Sequence, residues 1–365
     1  MMLVAQRSRA RDFDWWLLLM AVGICTLGVL DIYYATRSGD LSGMHWKQLA
    51  WIALGFACML VISVIDYHKI LDNAPILYLL GLAGLVLVLF IGKTRFGSRS
   101  WIDLGLFDLQ VAEPVKLIII VVLARFFSEV RSERLSLLDL AKAGILTGIP
   151  VALILKQPDF GTAMMFVPAL LVGSFLAGVQ WKHVAAFAVV AALLLPVGWY
   201  FLKPYQKQRI ETFLNPESNP QGAGYQTLQA KIAVGSGGVW GKGLGHGSQN
   251  QLGFIPVRWS DFIFASQAEE LGFAGVFVTL LLYMGLLLRL VHNAQRAVDR
   301  AGMYLVMGVA AILGIHVFWN VGMTIGYVPV TGVPLPLMSY GGSATLFMFM
   351  ALGLVMNVRM GRFVN

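Results

Sequence analysis

The sequence predicts an all-α polytopic membrane protein with about ten transmembrane helices, and three observations carry that prediction. Apolar residues make up 58% of the 365-residue chain and charged residues only 13%, against roughly 25% charged in soluble domains. Mean hydropathy is +0.74, and a soluble fold of this length could not hide so much apolar surface, so the remainder must face lipid. The apolar residues also fall into runs of about 20, the length a helix needs to cross the hydrocarbon. This composition excludes a disordered, fibrous or disulfide-stapled chain. The two cysteines, Cys25 and Cys58, lie inside apolar runs and read as small core residues rather than a bridge. The basic residues behind the net charge of +8 are scattered through loops, a pattern that fits membrane topology and not nucleic acid.

In chain order the runs are 15–35, 46–65, 74–92, 112–130, 138–155, 160–179, 184–202, 265–291, 302–326 and 338–358. The first follows Arg7, Arg9 and Arg11 as a signal peptide would. It is too long for one and lacks a small-residue cleavage site, so it is expected to be retained. Ten spans put both termini on one side. With that side inside, the inner segments carry Arg7, Arg9, Arg11, Lys69, Arg131, Arg134, Lys182, Arg296, Arg300, Arg359 and Arg362, and the short outer loops carry Arg37, Lys47, Lys93, Arg95, Arg99 and Lys156. Eleven against six makes the termini cytoplasmic by the positive-inside rule. Residues 1–365 then form a single integral membrane domain. Within it, 203–264 is a large extracytoplasmic loop between spans seven and eight, long enough to be functional in its own right. Tyr225, Leu228 and Ile232 recur there at helical spacing, which predicts a short helix lying on the outer surface.

The polar residues that stand out lie toward that outer side. Glu113 and Lys116 are three apart at the start of the fourth span, on one face and close enough to pair. A neutralised pair is tolerable inside a bundle, either fixing helix packing or flooring an outward-facing cavity. Asp159 ends a very short link and is placed to cap the sixth helix. Asp261 lies where the long loop re-enters the membrane, with Glu269 and Glu270 two to three turns deeper. A carboxylate at such a boundary serves as base, metal ligand or cap, and spacing does not choose among them. The run Gly235-Ser-Gly-Gly-Val-Trp-Gly-Lys-Gly-Leu-Gly-His-Gly fails the Walker pattern, because Ser236 stands five before Gly241 and Gly243 follows Lys242. It reads as tight turns or as a backbone cradle for phosphate, with no nucleotide. Nothing in the chain matches a metalloprotease helix, a Cys/His cluster or a nucleophile elbow.

Several ordered motifs resemble the SEDS family along nearly the whole chain. Tyr205-Gln-Lys-Gln-Arg-Ile, Asn215-Pro-Glu-Ser-Asn-Pro-Gln-Gly-Ala-Gly-Tyr-Gln and Lys231-Ile-Ala-Val-Gly-Ser-Gly-Gly occur in register with Ser248-Gln-Asn-Gln-Leu-Gly-Phe-Ile-Pro and Ser260-Asp-Phe-Ile-Phe-Ala. Gln110-Val-Ala-Glu-Pro-Val-Lys, Gln157-Pro-Asp-Phe-Gly-Thr and Gly332-Val-Pro-Leu-Pro-Leu-Met-Ser-Tyr-Gly-Gly-Ser complete the set. The chain departs from the family at Val257, Trp259 and Ser260, where Glu, His and Thr are usual, and at Ser100, where Arg is common. The short N-terminus and the 215–224 segment favour the elongation branch over the division branch.

The resemblance implies a glycosyltransferase that polymerises lipid II into glycan strands at the outer face of the bacterial cytoplasmic membrane. It implies Asp261 as the essential residue, Glu113, Lys116 and Asp159 as a supporting polar site, and a class B penicillin-binding protein as partner. The chemistry is consistent with that expectation. An acceptor hydroxyl is a poor nucleophile and gains from a carboxylate base. A diphosphate leaving group gathers charge that cations must stabilise, and Arg209, Lys231, Lys242, Arg258 and Arg99 are the candidates. A divalent cation such as magnesium or manganese, with Asp261 as its ligand, would serve instead. The competing class is a lipid II flippase, which should show polar residues or broken helices at the membrane midplane.

Overall fold

The computed structural model describes residues 13–37, 41–95, 97–105, 107–130, 134–201, 204–216 and 222–361. Arg7, Arg9, Arg11, Arg131, Arg362 and part of the 215–224 segment lie outside them. All ten apolar runs are helical. α1 (Trp15–Thr36), α2 (Met44–Val64), the short α3 (Tyr67–Asp72) and α4 (Ala74–Ile91) open the chain. α5 (Ala112–Glu129), α6 (Leu137–Lys156), α7 (Phe160–Met164), α8 (Val167–Leu176) and α9 (Trp181–Phe201) follow. The long loop holds α10 (Pro204–Leu214), α11 (Ala223–Ser236) and α12 (Ser248–Gln251). Beyond it come α13 (Ile263–Gln295), α14 (Arg300–Ile325) and α15 (Gly342–Gly361). Seven of these, α1, α2, α4, α6, α13, α14 and α15, are long and apolar enough to cross a membrane.

The helices sort into a centre and a rim. The apolar windows of α14 and α15 are 61% and 72% buried, against 22% for α2, α4 and α6. α5 belongs with the centre: twelve of its residues, including Glu113 and Lys116, are buried, and it packs on α14. Charges on α5 are therefore paid for by protein contacts, not lipid. The rim exposes Leu79, Leu80 and Phe90, an apolar surface suited to acyl chains and not to water. At one end, Asp14 caps α1 and is fully buried, accepting from Arg289, Asn293 and Arg359. Burial raises its pKa, but these donors and the two guanidinium charges win and hold the carboxyl below its usual range.

The structure corrects the sequence reading in four places. The fold is not purely helical: β1 (Lys93–Arg95), β2 (Ser98–Asp103) and β3 (Asp108–Gln110) form an antiparallel sheet in that order. Its strands are short and carry no sustained alternation, so they left no periodic signal. The sixth run is not one helix, because it turns at Met165 and Phe166 and restarts with a proline in the first turn of α8. On α11 the buried side is Ala230 and Ala233, packed toward α13 and α14, while Leu228 and Ile232 are exposed.

The eighth run is broken as well. Gly272 takes φ 66° and ψ −166° inside α13, a conformation essentially confined to glycine. The break frees the carbonyls of Glu269 and Glu270 and the amides of Phe273 and Ala274, which would otherwise pair with each other. The glycine-rich run takes them up: Lys242 and Gly243 amides donate to the two carbonyls at 3.0 Å, and Phe273 and Ala274 amides donate to Gly238 and Val239 at 2.9 and 3.0 Å. A Cβ on Gly272 would stand 2.2 Å from the Gly241 nitrogen, so both positions need glycine for close approach. These amides are thus occupied by α13 and do not cradle a phosphate. Residues 263–270 are all buried, which makes this half-helix interior protein. The 23 residues from Phe273 to Gln295 measure about 34 Å, enough to cross alone.

Candidate functional site

Asp261 sits between the long loop and α13, on a segment held from two sides. Ser339 Oγ donates to the Ser260 carbonyl at 2.7 Å, and the Tyr340 amide donates to the Trp259 carbonyl at 2.9 Å. Asn320, buried on α14, donates from Nδ2 to the carbonyls of Asp261 and Val333, each at 2.8 Å. One side-chain amide thereby ties the Asp261 loop to the Gly332–Ser343 motif. Val257 and Leu337 both have positive φ, 52° and 66°, a strain of about 1–3 kcal/mol at a non-glycine residue. The surrounding hydrogen bonds hold it.

The Asp261 carboxylate itself is lightly engaged. Ser260 Oγ donates to Oδ1 at 3.0 Å. Oδ2 abuts Gly332, where a Cβ would lie 3.3 Å away, and no hydrogen-bond donor reaches it among the described residues. Withdrawal from water raises the carboxyl to about 6, against the opposing effect of the Ser260 hydroxyl. A half-buried carboxylate with one free oxygen and a pKa near neutrality is equipped to accept a proton.

Glu113 and Lys116 pair as their spacing requires, at 2.8 Å with exposures of 3% and 1%. The pair has further partners that the sequence did not reveal. Lys116 Nζ lies 3.1 Å from His316 Nε2 and 4.8 Å from the Phe347 ring centroid. His316 Nδ1 faces the Ile312 carbonyl at 2.8 Å, which can only accept, so Nδ1 carries the proton and Nε2 accepts from Lys116. His316 and Asn320 are four residues apart on α14 and share a face, about 6 Å apart along the axis. The ion pair therefore lies one turn along α14 from the residue that positions Asp261.

Asp159 is a cap and also a tie. Oδ1 accepts from the Thr162 amide and Oδ2 from Gln110 Nε2, both at 3.0 Å. Gln110 ends β3, and Ser98 of β2 donates to the Gln157 carbonyl, so the sheet fixes the link before α7. Asp159→Ala is expected to cost about 0.5–2 kcal/mol of stability through the lost cap, with Asp159→Asn close to wild type in a thermal-unfolding comparison. Equal loss from both variants would show that the charge, not the cap, matters.

The five candidate cations are not brought together. Arg99 bonds to the Phe90 and Gly92 carbonyls, closing the end of α4. Lys242 pairs with buried Glu269 at 2.7 Å. Arg258 donates to the Ala35 carbonyl and lies over Trp259. Arg209 and Lys231 line one cavity together. The Arg99, Lys242 and Arg258 side chains thus have structural partners of their own. Among the described residues no three His, Cys, Asp or Glu gather into a metal site.

A helical membrane bundle with a strained, hydrogen-bonded segment carrying a lightly engaged carboxylate defines an integral membrane protein with a candidate polar site. The chain belongs to the FtsW/RodA/SpoVE cell cycle protein family, whose model matches residues 10–362. It is similar to the peptidoglycan glycosyltransferase MrdB of Escherichia coli, at 39% identity over 96% of this chain and 94% of that protein. It also resembles the peptidoglycan glycosyltransferase RodA of Treponema pallidum, at 33% identity over 95% and 97%. Among solved structures, a chain of a peptidoglycan synthase complex that coordinates polymerization and crosslinking superposes with TM-score 0.84 and 31% identity, covering 97% and 99% of the two chains. The rod shape determining protein RodA of Thermus thermophilus superposes with TM-score 0.73 and 28% identity over 97% and 98%.

Proposed function

We propose that this multi-pass membrane protein is a peptidoglycan glycosyltransferase of the elongation type, which joins lipid II units into glycan strands at the outer face of the cytoplasmic membrane. The relatives that carry this enzyme name cover almost the whole chain. The observation that carries the mechanism is Asp261 Oδ2, which no donor reaches among the described residues, on a segment held by Asn320, Ser339 and Tyr340. In the reaction, Oδ2 accepts the proton of the acceptor hydroxyl as its oxygen attacks the anomeric carbon. The bond from that carbon to the diphosphate breaks, and the attack from the opposite face inverts the centre. Glu113, Lys116 and His316 floor the site one turn away, keeping α5 and α14 in register.

A divalent cation fits this donor set only through the substrate. Among the described residues Asp261 is the one carboxylate there, and magnesium is commonly held by one or two carboxylates together with substrate phosphates. Base and ligand would compete for the same Oδ2. The partner reading, a class B penicillin-binding transpeptidase, is supported by the likeness to a chain of a complex that both polymerises and crosslinks. The flippase alternative has two observations in its favour, the break at Gly272 and the turn at Met165 and Phe166. The break at Gly272 is filled by backbone hydrogen bonds from the glycine-rich run, which leaves no open backbone there for cargo. Purified protein with its partner should polymerise lipid II in detergent, where transport has no meaning. A wild-type complex that makes no glycan there would defeat the enzyme reading.

Ten spans with cytoplasmic termini place 203–264 outside. On a cysteine-free background, Leu252→Cys is expected to react with an impermeant thiol reagent in intact cells, and Gln295→Cys is expected to stay unlabelled. Both side chains are on exposed positions, so access alone does not separate them. Labelling at Gln295→Cys in intact cells would reverse the orientation.

A further inference from the structure

The long loop leaves an open cavity beside α11. Arg209 and Thr212 of α10, Lys231 of α11, and Gly326 and Val330 beyond α14 are among its walls. Among the described residues, Arg209 and Lys231 have no ion pair or hydrogen bond, unlike Lys242, Arg258 and Arg99. Thr212 is 4% exposed and its Oγ1 has no partner, an arrangement rare for a buried hydroxyl without a ligand to meet it. Lys231 passes close over Gly326. Gly326 has φ +80°, and a Cβ there would come within 2.4 Å of the ammonium, so any side chain would displace it.

This cavity lies close to Asp261. Its Val330 wall packs against the buried cluster that includes Phe262. Two residues further on, Gly332 abuts Asp261 Oδ2. Two residues of chain reach at most about 7 Å, comparable with the width of one sugar ring. Displacement at an anomeric carbon needs base and leaving group on opposite faces of that ring.

We propose that Arg209, Lys231 and Thr212 form the diphosphate site of the donor, the sugar whose anomeric bond is broken, and that the acceptor binds on the Asp261 side. The assignment rests on the glycosyltransferase reading and divides its site in two. The acceptor oxygen bonds to the anomeric carbon and its proton passes to Asp261. The carbon–oxygen bond to the diphosphate breaks, and its electron pair leaves with the diphosphate. The guanidinium fork meets two phosphate oxygens and the ammonium a third, so the charge that develops is met by groups already in position.

The test is direct binding to full-length protein in detergent, with a long-chain polyprenyl diphosphate as probe and the neutral polyprenol of equal length as control. Arg209→Gln and Lys231→Gln are each expected to weaken diphosphate binding by about 10-fold or more. Polyprenol binding should change less than about 2-fold, since it reads only the lipid tail. Arg209→Lys should retain part of the affinity, while Asp261→Asn should bind the diphosphate as wild type does. Unchanged diphosphate affinity in both Gln variants overturns the assignment, and so does an equal loss of polyprenol binding. Should Thr212→Val, which keeps the cations and the volume, also weaken the diphosphate selectively, a folding defect is excluded as the cause. The outcome does not depend on turnover. A wild type that binds diphosphate through these charges but makes no glycan would retire the glycosyltransferase reading and leave the anion site standing.

Discussion

Asp261→Asn is expected to fold, to keep its partner, and to lower lipid II polymerisation by about 10²–10⁴-fold, the usual cost of losing a general base. The amide keeps the shape and the Ser260 contact but cannot take a proton at Oδ2. The wild-type rate should rise with pH through about 6, where burial places the carboxyl, because only the ionised form accepts a proton. Stability should move the other way. The folded-state pKa lies above the unfolded value of about 3.9, so the native state binds the proton more tightly. The stability it contributes is present below about pH 4 and is lost as pH rises through about 6. At pH 7 the ionised Asp261 is therefore a cost, and Asp261→Asn should unfold at a higher temperature than wild type there, with the difference shrinking toward pH 4. Such a trade between stability and activity is common at reaction sites. If the carboxylate were chiefly a metal ligand, the lost rate would depend on which divalent cation is supplied, and a base shows no such rescue. Polymerisation by Asp261→Asn at the wild-type rate would remove Asp261 from the chemistry.

Glu113→Ala is expected to be the most destabilising of the polar-site substitutions. It leaves the Lys116 ammonium 1% exposed with no counter-charge. Breaking a buried pair in this way costs about 3–5 kcal/mol in soluble proteins. The His316 nitrogen and the Phe347 ring remain as partners, which sets the loss toward the lower part of that range. Glu113→Ala combined with Lys116→Met removes both charges at similar volume and should recover most of the thermal stability. Equal unfolding temperatures for the single and double variants would show that the charges do not depend on each other. Recovered stability without recovered polymerisation would assign the pair a role in the reaction as well as in packing.

Much of the architecture was already legible in the chain, for reasons that are local. A run of about 20 apolar residues is a candidate membrane helix from its composition alone; all ten such runs contain helix, and among the described residues seven helices are long and apolar enough to cross. The i, i+3 spacing of Glu113 and Lys116 and the cap at Asp159 needed only helix geometry to be read, and both are present. The motif around Asp261 marked it out, although residue type alone left base, ligand and cap open. The eighth run did carry a local warning, since adjacent Glu269 and Glu270 followed by Gly272 fit poorly in the middle of a lipid-facing helix.

What only the tertiary structure decided depends on residues far apart in sequence. His316 meets Lys116 from 200 positions away, and Asn320 reaches the Asp261 carbonyl across 59. The glycine-rich run resembled a phosphate cradle because exposed amides and occupied amides look the same in sequence, and α13 turned out to occupy them. The five cations were equivalent as letters. Folding gave Lys242 to Glu269, Arg99 to the end of α4 and Arg258 to the Ala35 carbonyl, and brought Arg209 and Lys231 to one cavity. Periodicity and capping are set by neighbours along the chain, so one sequence suffices to read them. Which charge is neutralised and which stays free is set by what packs against it, and that depends on the whole fold.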